Sequence, residues 1–406
     1  MGLFNFWQKK MTSLDLFKEV NGGRTSRTGV TVNVDRALQV ATVLACVRCL
    51  ANGVAQVPFR VHVQTDRSRK VATEHPLHNV LKRRPNPWQT SFELRETAMF
   101  HMLLCGNAYM FLNRVGRLRE IREIIPIEPG QVAVKRLDDM TLEYHVTGKS
   151  GKVEIFPAEA IWHIKGPSWN SWVGMDAVKL AREAIGLSIA LEESQADFQK
   201  NGAKTSGVIA TKSKLSVEKY KEWRAYMQKE IADGDKFRPW YLDDDARFTP
   251  FTMSGVDQQL LETRKFQIEE ICREYGVMPI MIGFSDKAPT YASAEQMFLA
   301  HKVHSLDPLY KRIEESADVA LLSEADRASG HYTKFTVNGL MHGAAKDRSD
   351  FYTKGLGNTQ QPGWLTRNEV REWEELDPVD GGDEFPPLIT TQAPADPGQG
   401  GNNGPN

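Results

Sequence analysis

The sequence predicts an α+β protein built on a mainly antiparallel sheet, and three observations carry that prediction. Six short strand patterns follow one another between residues 109 and 164 without helices between them, whereas a parallel α/β sheet would alternate the two. Two long amphipathic helix patterns, at residues 174–202 and 257–275, follow as a separate block. Between those helices lies an insert of strand, helix and two further strands, too short to be more than a small α/β unit.

Taken in order, residues 1–28 mix Phe4, Phe6 and Trp7 with a Gly/Ser/Arg/Thr stretch at 22–29 that cannot build a core, so they read as a flexible arm. From Asp35, the residues Ala37, Val40, Ala41, Leu44, Cys46, Val47, Leu50 and Val54 make a broad apolar helical face that ends before Pro58. Residues 58–64 then alternate as a strand before a charged turn at 66–70. A short helix, a proline-bounded loop and a second helix follow, the last started by Thr90 with Glu93 three residues on. The six strands are 109–113, 121–126, 132–136, 142–146, 153–156 and 160–164.

In the helix at 174–202, Leu180, Ala184, Leu187, Leu191 and Phe198 share a stripe. The insert gives a strand at 207–211, a helix at 216–231 and strands at 240–242 and 247–251 across the acidic turn Asp243, Asp244 and Asp245. In the helix at 257–275, Leu261, Ile268, Cys272 and Tyr275 recur on one face, widened by Leu260 and Ile271. Lys265 with Glu269, and Glu269 with Arg273, are opposite charges four apart on the other face. Gly276 stops this helix and Pro279 prevents its return. At about 1.5 Å per residue it is roughly 30 Å long, which suits a strut.

A polar segment follows, and Ser293 with Gln296 begins a helix running to about Leu322 that bends or restarts at Pro308. Residues 331–337 read as a strand returning to the first sheet. A helix at 345–356 precedes another opened by a capping box, Thr366 with Glu369, and a hydrophobic staple, Leu365 with Val370. From Pro386 onward Pro, Gly, Gln and Asn dominate, so disorder is expected.

Composition bounds the function. The 406 residues suffice for two or three domains, and 41% hydrophobic with 25% charged residues is ordinary for a soluble fold. Lys+Arg at 51 against Asp+Glu at 52 gives a net charge of −1, so the surface as a whole is not a nucleic-acid-binding one; any meeting with DNA is through a local patch or loose passage. No run of about 18 apolar residues is present, so no membrane-spanning helix and no membrane partner are expected. Phe6 stands where an acylation start needs Ser or Thr, and no cleavable signal pattern follows, which leaves a cytosolic chain as the default. Cys46, Cys49, Cys105 and Cys272 all lie in apolar helical contexts and read as reduced core thiols.

The helix at 257–275 carries a pattern that resembles the portal proteins of tailed bacteriophages: LLE-x-RKF-x-x-EEI-x-R, then a GV-P turn ending in Ile-Gly. Leu261, Glu262, Arg264, Lys265, Phe266, Glu269, Glu270, Ile271, Arg273, Gly276, Val277, Pro279 and Gly283 match it, while Met278 stands where the family often has a first proline. His75-Pro76-Leu77, the loop Pro85-Asn86-Pro87 and the run from Leu103 to Tyr109 resemble the same family, and the likeness extends over most of residues 35–385.

The resemblance implies a portal fold: an arm at 1–28, a wing at 29–172 with an antiparallel sheet, stem helices at 173–203 and 254–283, and a clip at 204–253. A tunnel loop at 284–292, a bent helix and wing return at 293–340, a crown at 341–385 and a tail at 386–406 complete it. It implies a non-enzymatic subunit of a homo-oligomeric ring, commonly dodecameric, at one capsid vertex, assembled in the bacterial cytoplasm. Double-stranded DNA would pass through the ring, and major capsid protein, the terminase large subunit and a head-tail adaptor would dock on it. The DNA-channel residues would be Ser285, Asp286, Lys287, Ala288, Pro289, Thr290 and Tyr291. In a closed ring Lys287, one per chain, becomes a belt of positive charge around the pore. No cofactor is implied.

The remaining constellations are weaker. Cys46-Val47-Arg48-Cys49 has no second pair at the spacing of a zinc module, and it reads as core. The three aspartates read as a hairpin turn, since no Gly and distal Glu complete a calcium loop. No Walker loop, G-x-S-x-G, H-E-x-x-H or dinucleotide glycine pattern occurs. His301 and His304, one turn apart, define the runner-up, a metal-dependent α+β enzyme using both with a carboxylate; a third reading is a defective prophage copy of the portal subunit that serves no packaging.

Overall fold

The computed structural model describes residues 24–65, 69–117, 119–148, 150–200, 207–210, 216–232, 247–250, 256–285, 291–337, 345–357, 361–374 and 376–385. The chain forms two compact units, Met1–Lys334 and Phe335–Asn406.

A small hairpin, β1 (Arg24–Thr25) with β2 (Thr31–Val32), opens the first unit, and α1 (Val34–Gln39) and α2 (Ala41–Ala55) follow. Residues 24–28 therefore do not belong with a loose arm. Ser26 is buried, the Arg27 amide donates to Glu183 Oε2 at 2.9 Å, and a Cβ on Gly186 would collide with Ser26. Short polar side chains that satisfy one another can pack closely where apolar ones are lacking. The helical pattern from Asp35 breaks at Val40, which adopts an extended conformation and caps α1. Buried positions of α2, including Val43, Cys46, Val47, Leu50 and Val54, make it the central helix of the unit.

Strands β3 (Phe59–Gln64) and β4 (Arg69–Val71), helix α3 (Leu77–Lys82) and helix α4 (Ser91–Cys105) come next. Thr90 accepts from the Glu93 amide while Glu93 reaches back to the Thr90 amide, completing the expected capping box. Then come β5 (Asn107–Val115), β6 (Glu120–Ile127), β7 (Val132–Arg136), β8 (Leu142–Thr147), β9 (Val153–Pro157) and β10 (Ile161–Lys165). The strands divide among separate three-stranded sheets, ordered β10-β5-β6 and β7-β8-β9, with antiparallel pairing throughout both. Tyr109, Val132, Tyr144 and Ile161 form the core between those two sheets.

Helices α5 (Ala177–Leu180) and α6 (Arg182–Lys200) occupy the first long helical pattern, with a break at Ala181. Beyond them β11 (Gly207–Ala210), α7 (Val217–Ala232) and β12 (Arg247–Pro250) form the insert, β11 and β12 paired antiparallel. The strand expected at 240–242 and the acidic turn lie outside the described residues. Helix α8 (Val256–Tyr275) follows, then a 3-10 turn (Pro279–Ile282), α9 (Tyr291–His301), a π-helical turn (Lys302–Leu306) and α10 (Asp307–Ala320), with Pro308 in the first turn of α10. After α11 (Glu324–Ala328), strand β13 (His331–Phe335) joins a third sheet in the order β13-β3-β4.

The main core gathers Val40, Val43 and Val47 from the first helices, Leu104 from α4, and Val178, Ala181, Ile185 and Ile189 around α6, with Ile271 of α8. In the second unit, α12 (Ala345–Leu356) and α13 (Arg367–Trp373) pack through the rings of Phe351, Trp364 and Trp373. The box expected at Thr366 and Glu369 is formed, and Asn368 bonds both the amide and the carbonyl of Val379.

Gly106 ends α4 at φ 74°, and a Cβ there would overlap the Met175 carbonyl; Gly116 in the β5–β6 hairpin has φ 79° with open space around it. Gly116→Ala is expected to cost about 1–2 kcal/mol, the left-handed penalty alone. Gly106→Ala adds a clash with backbone that has nowhere to move, so at least roughly twice that loss is expected in denaturant titrations.

Candidate functional site

Helix α8 carries the motif residues, and its two halves have different surroundings. In the C-terminal half Gln267, Ile271 and Cys272 are buried, Ile271 being 1% exposed, and Tyr275 packs against the main core. Nearer the start Leu261 is 58% exposed, and Phe266 at the middle of the helix is 53% exposed. The apolar stripe expected through Leu261 thus seats only its lower part within this chain. The same holds for the earlier helical pattern: Leu180 is exposed, while Ala184 of the expected stripe is buried together with Val178, Ala181, Ile185 and Ile189. Val178, Ala181, Ile185 and Ile189 recur at spacings of three, four and four, so the buried stripe lies one residue round the helix from Leu180.

Both long helices therefore leave the core together. Glu192 and Glu193 on α6 are exposed, and Arg264 of α8 spans to it, donating to Gln195 Oε1 at 2.6 Å with its other terminal nitrogen 3.8 Å from Glu192. Glu262, Glu269 and Arg273 face solvent, while Lys265 and Glu270 are half-buried.

The far end of α8 is fixed by a complete Schellman closure. Gly276 at φ 64° lets the Val277 amide reach the Cys272 carbonyl at 2.9 Å and its own amide the Arg273 carbonyl at 3.2 Å. Val277 is buried beneath the turn, and Ser305 donates to the Gly276 carbonyl at 2.6 Å. Met278, standing where a proline was the pattern's expectation, adopts φ −70° and ψ 134°, the conformation a proline would impose. Gly283 closes the 3-10 turn at φ 80°. Of the expected channel residues, Ser285 is exposed and Tyr291 begins α9; Asp286, Lys287, Ala288, Pro289 and Thr290 lie outside the described residues.

His301 and His304 do not share a face. His301 is buried with Nε2 3.9 Å from Cys49 Sγ, while His304 is exposed. The π-helical turn that begins at Lys302 widens the helix just there, so residues three apart no longer stack. No cluster of three or more His, Cys, Asp or Glu able to hold a metal occurs among the described residues, and the metal-enzyme alternative loses its site.

Sequence reasoning noted the Gly-Asn run before β5 without seeing its role. Asn107 Oδ1 accepts from the Gly174 amide at 2.7 Å and from His163 Nε2 at 3.0 Å, and its Nδ2 donates to the carbonyls of Cys105 and Gly174, both at 3.1 Å. Because Oδ1 faces two donors, His163 carries its proton on Nε2. Its Nδ1 then accepts from the Tyr144 hydroxyl at 3.1 Å. Burial, with Lys165 assisting, pushes the His163 pKa down to about 3, and burial raises Tyr144 to about 12. One side chain thus joins the end of α4, the start of β5, strand β10 and the loop that leads into α5 and α6. The available signal was a Gly-Asn pair at a helix-to-strand junction, where an amide side chain can serve several backbone groups at once.

A family model, described as phage portal protein, matches residues 41–375. The portal protein of Enterobacteria phage HK97 is 29% identical over 356 residues, covering 87% of this chain and 82% of that protein. Among solved structures, an HK97 family phage portal protein from Corynebacterium diphtheriae superposes with a TM-score of 0.57 at 17% identity, over 78% of this chain and 96% of that one. A chain from the neck of a native gene transfer agent particle, computed with C12 symmetry, has a TM-score of 0.53 at 22% identity, over 84% and 91%.

His163 and His101 (the latter pushed down to about 4 by burial) are neutral in the folded chain, whereas free imidazoles titrate near 6.5. Their folded pKa values lie below the unfolded ones, so the unfolded chain binds the extra protons and stability falls as pH drops below about 6.5. The melting temperature is expected to decline steadily between pH 6.5 and 4, and His163→Gln to start lower and decline less steeply; an unchanged slope would show that His163 is not the group being charged.

Proposed function

The chain belongs to the phage portal protein family, and on that premise we propose that twelve copies close into the ring through which a phage genome enters and leaves its capsid. It is a structural subunit rather than an enzyme, a ring-forming component of a capsid portal vertex. The twelvefold count is supported by the C12 symmetry of the gene transfer agent neck.

The observation that carries the finer reading is the pair α6 and α8, which leave the core side by side with Leu261 and Phe266 uncovered. Repeated around an axis, such helices pack on their neighbours' stems, with their polar faces toward a channel. Residues 173–203 and 254–283 are the stem, and residues 204–253, which include the paired strands β11 and β12 and helix α7, are the clip on which the terminase large subunit and later a head-tail adaptor dock. Residues 29–172 and 293–340 form the wing, which meets major capsid protein, and 341–385 form the crown. Residues 284–292 are the tunnel loop, where one Lys287 per subunit makes a ring of positive charge against the phosphates of double-stranded DNA. Near-zero net charge elsewhere suits a channel that must let DNA slide, because many strong phosphate contacts would hold it. Assembly takes place in the host cytoplasm.

Burying a Leu or Phe side chain contributes about 1.5–3 kcal/mol. The Leu261→Ser/Phe266→Ser double variant should therefore fold with an unchanged subunit melting temperature yet assemble at least about tenfold more weakly by analytical ultracentrifugation. Undiminished rings would remove these residues from the interface. Shortening the 285–291 loop should leave rings intact and impair DNA packaging or retention in a phage assay; loss of rings instead would make the loop structural.

A further inference from the structure

Three of the four cysteines converge on one place in the first unit. Cys46 of α2 and Cys272 of α8, separated by 226 residues, lie with their sulfurs 3.8 Å apart, and Cys49, one turn along α2, faces His301 Nε2 at 3.9 Å. Both Cys46 and Cys272 are fully buried, and the Nδ1 of His301 is buried without a partner. A disulfide needs about 2.05 Å between sulfurs, so the pair lies within about 2 Å of bonding distance.

We propose that Cys46 and Cys272 are an oxidisable pair whose disulfide fastens α8 to α2. The two sulfurs are in S–H···S contact, in which either thiol can donate. That contact raises the Cys46 thiol pKa and lowers that of Cys272, making Cys272 the readier nucleophile. With a small peroxide as oxidant, the Cys272 thiolate attacks one peroxide oxygen, the O–O bond breaks, and the hydroxide that leaves takes up the proton Cys272 released, giving a sulfenic acid and one water. The Cys46 sulfur then attacks the Cys272 sulfur; the S–S bond forms, the S–O bond breaks, and hydroxide leaves with the Cys46 proton as a second water. Two thiols are oxidised by two electrons and one peroxide is reduced to two waters. A link within Cys46 and Cys49 would stay inside α2 and fasten nothing. The Cys46–Cys272 link would hold the buried base of α8 against the core, where Ile271 and Val277 also sit. It closes a long loop in the unfolded chain, which favours the folded state. The inference concerns the single chain and stands or falls independently of ring formation.

The test treats the full reduced chain with hydrogen peroxide, blocks residual thiols in denaturant and maps peptides without reduction. The expected result is that the four free thiols fall to two, with a peptide joining Cys46 to Cys272. A melting temperature raised by several degrees should return to its starting value with dithiothreitol. Cys49→Ser should crosslink like the parent chain, while Cys272→Ser should not crosslink at all. Four thiols persisting, oxidation running on to sulfinic acid, or a link dominated by Cys46 and Cys49 would overturn the proposal. So would a crosslinked chain that melts no higher than the reduced one.

Discussion

The fold hangs on the buried amide of Asn107. Gly106 turns the chain through a left-handed conformation at the end of α4, and Asn107 then holds the Gly174 amide and carbonyl, the Cys105 carbonyl and the His163 ring together. The backbone approaches closely enough here that a side chain on Gly106 or Gly174 would collide with main-chain atoms. Such proximity buries polar backbone away from water, and without the Asn107 side chain those groups would lose partners at a cost of about 1–3 kcal/mol each. The direction in which α5 and α6 leave the sheet is set at this point, and with it the path of α8, which Arg264 ties to α6.

Much of this was legible in the residues. Period-two alternation located the strands. Thr90 with Glu93 and Thr366 with Glu369 marked helix starts, and Gly276 marked the end of α8, because these signals act over a few residues of chain. What stayed hidden depends on partners distant in sequence. The six strands divide between two sheets that meet at Tyr109 and Tyr144, residues 35 apart in sequence, which no local pattern announces. The burial of Ser26 depends on Gly186, and the separation of His301 from His304 on a π-helical turn that no periodicity announces. Leu180 and Leu261 were placed on buried stripes because hydrophobic spacing reports that a face will be covered, not which molecule covers it.

That last point joins structure to function. The apolar residues left uncovered on α8 lie where the two long helices have outrun the core of their own chain, an arrangement incomplete in a monomer and natural in a closed ring. The lower half of α8 is anchored by Ile271, Cys272 and the glycine closure, so the subunit presents a stiff strut rather than a flexible arm to its neighbours. A rigid scaffold of this kind suits the channel proposed above.

The most direct test of the account is the mass of the native particle, read by light scattering on the purified full chain, alone and co-assembled with its capsid protein, with negative-stain images of the same samples. The account predicts annular particles of about a dozen subunits around a central pore. A compact monomer or dimer that persists through co-assembly with capsid protein would contradict it.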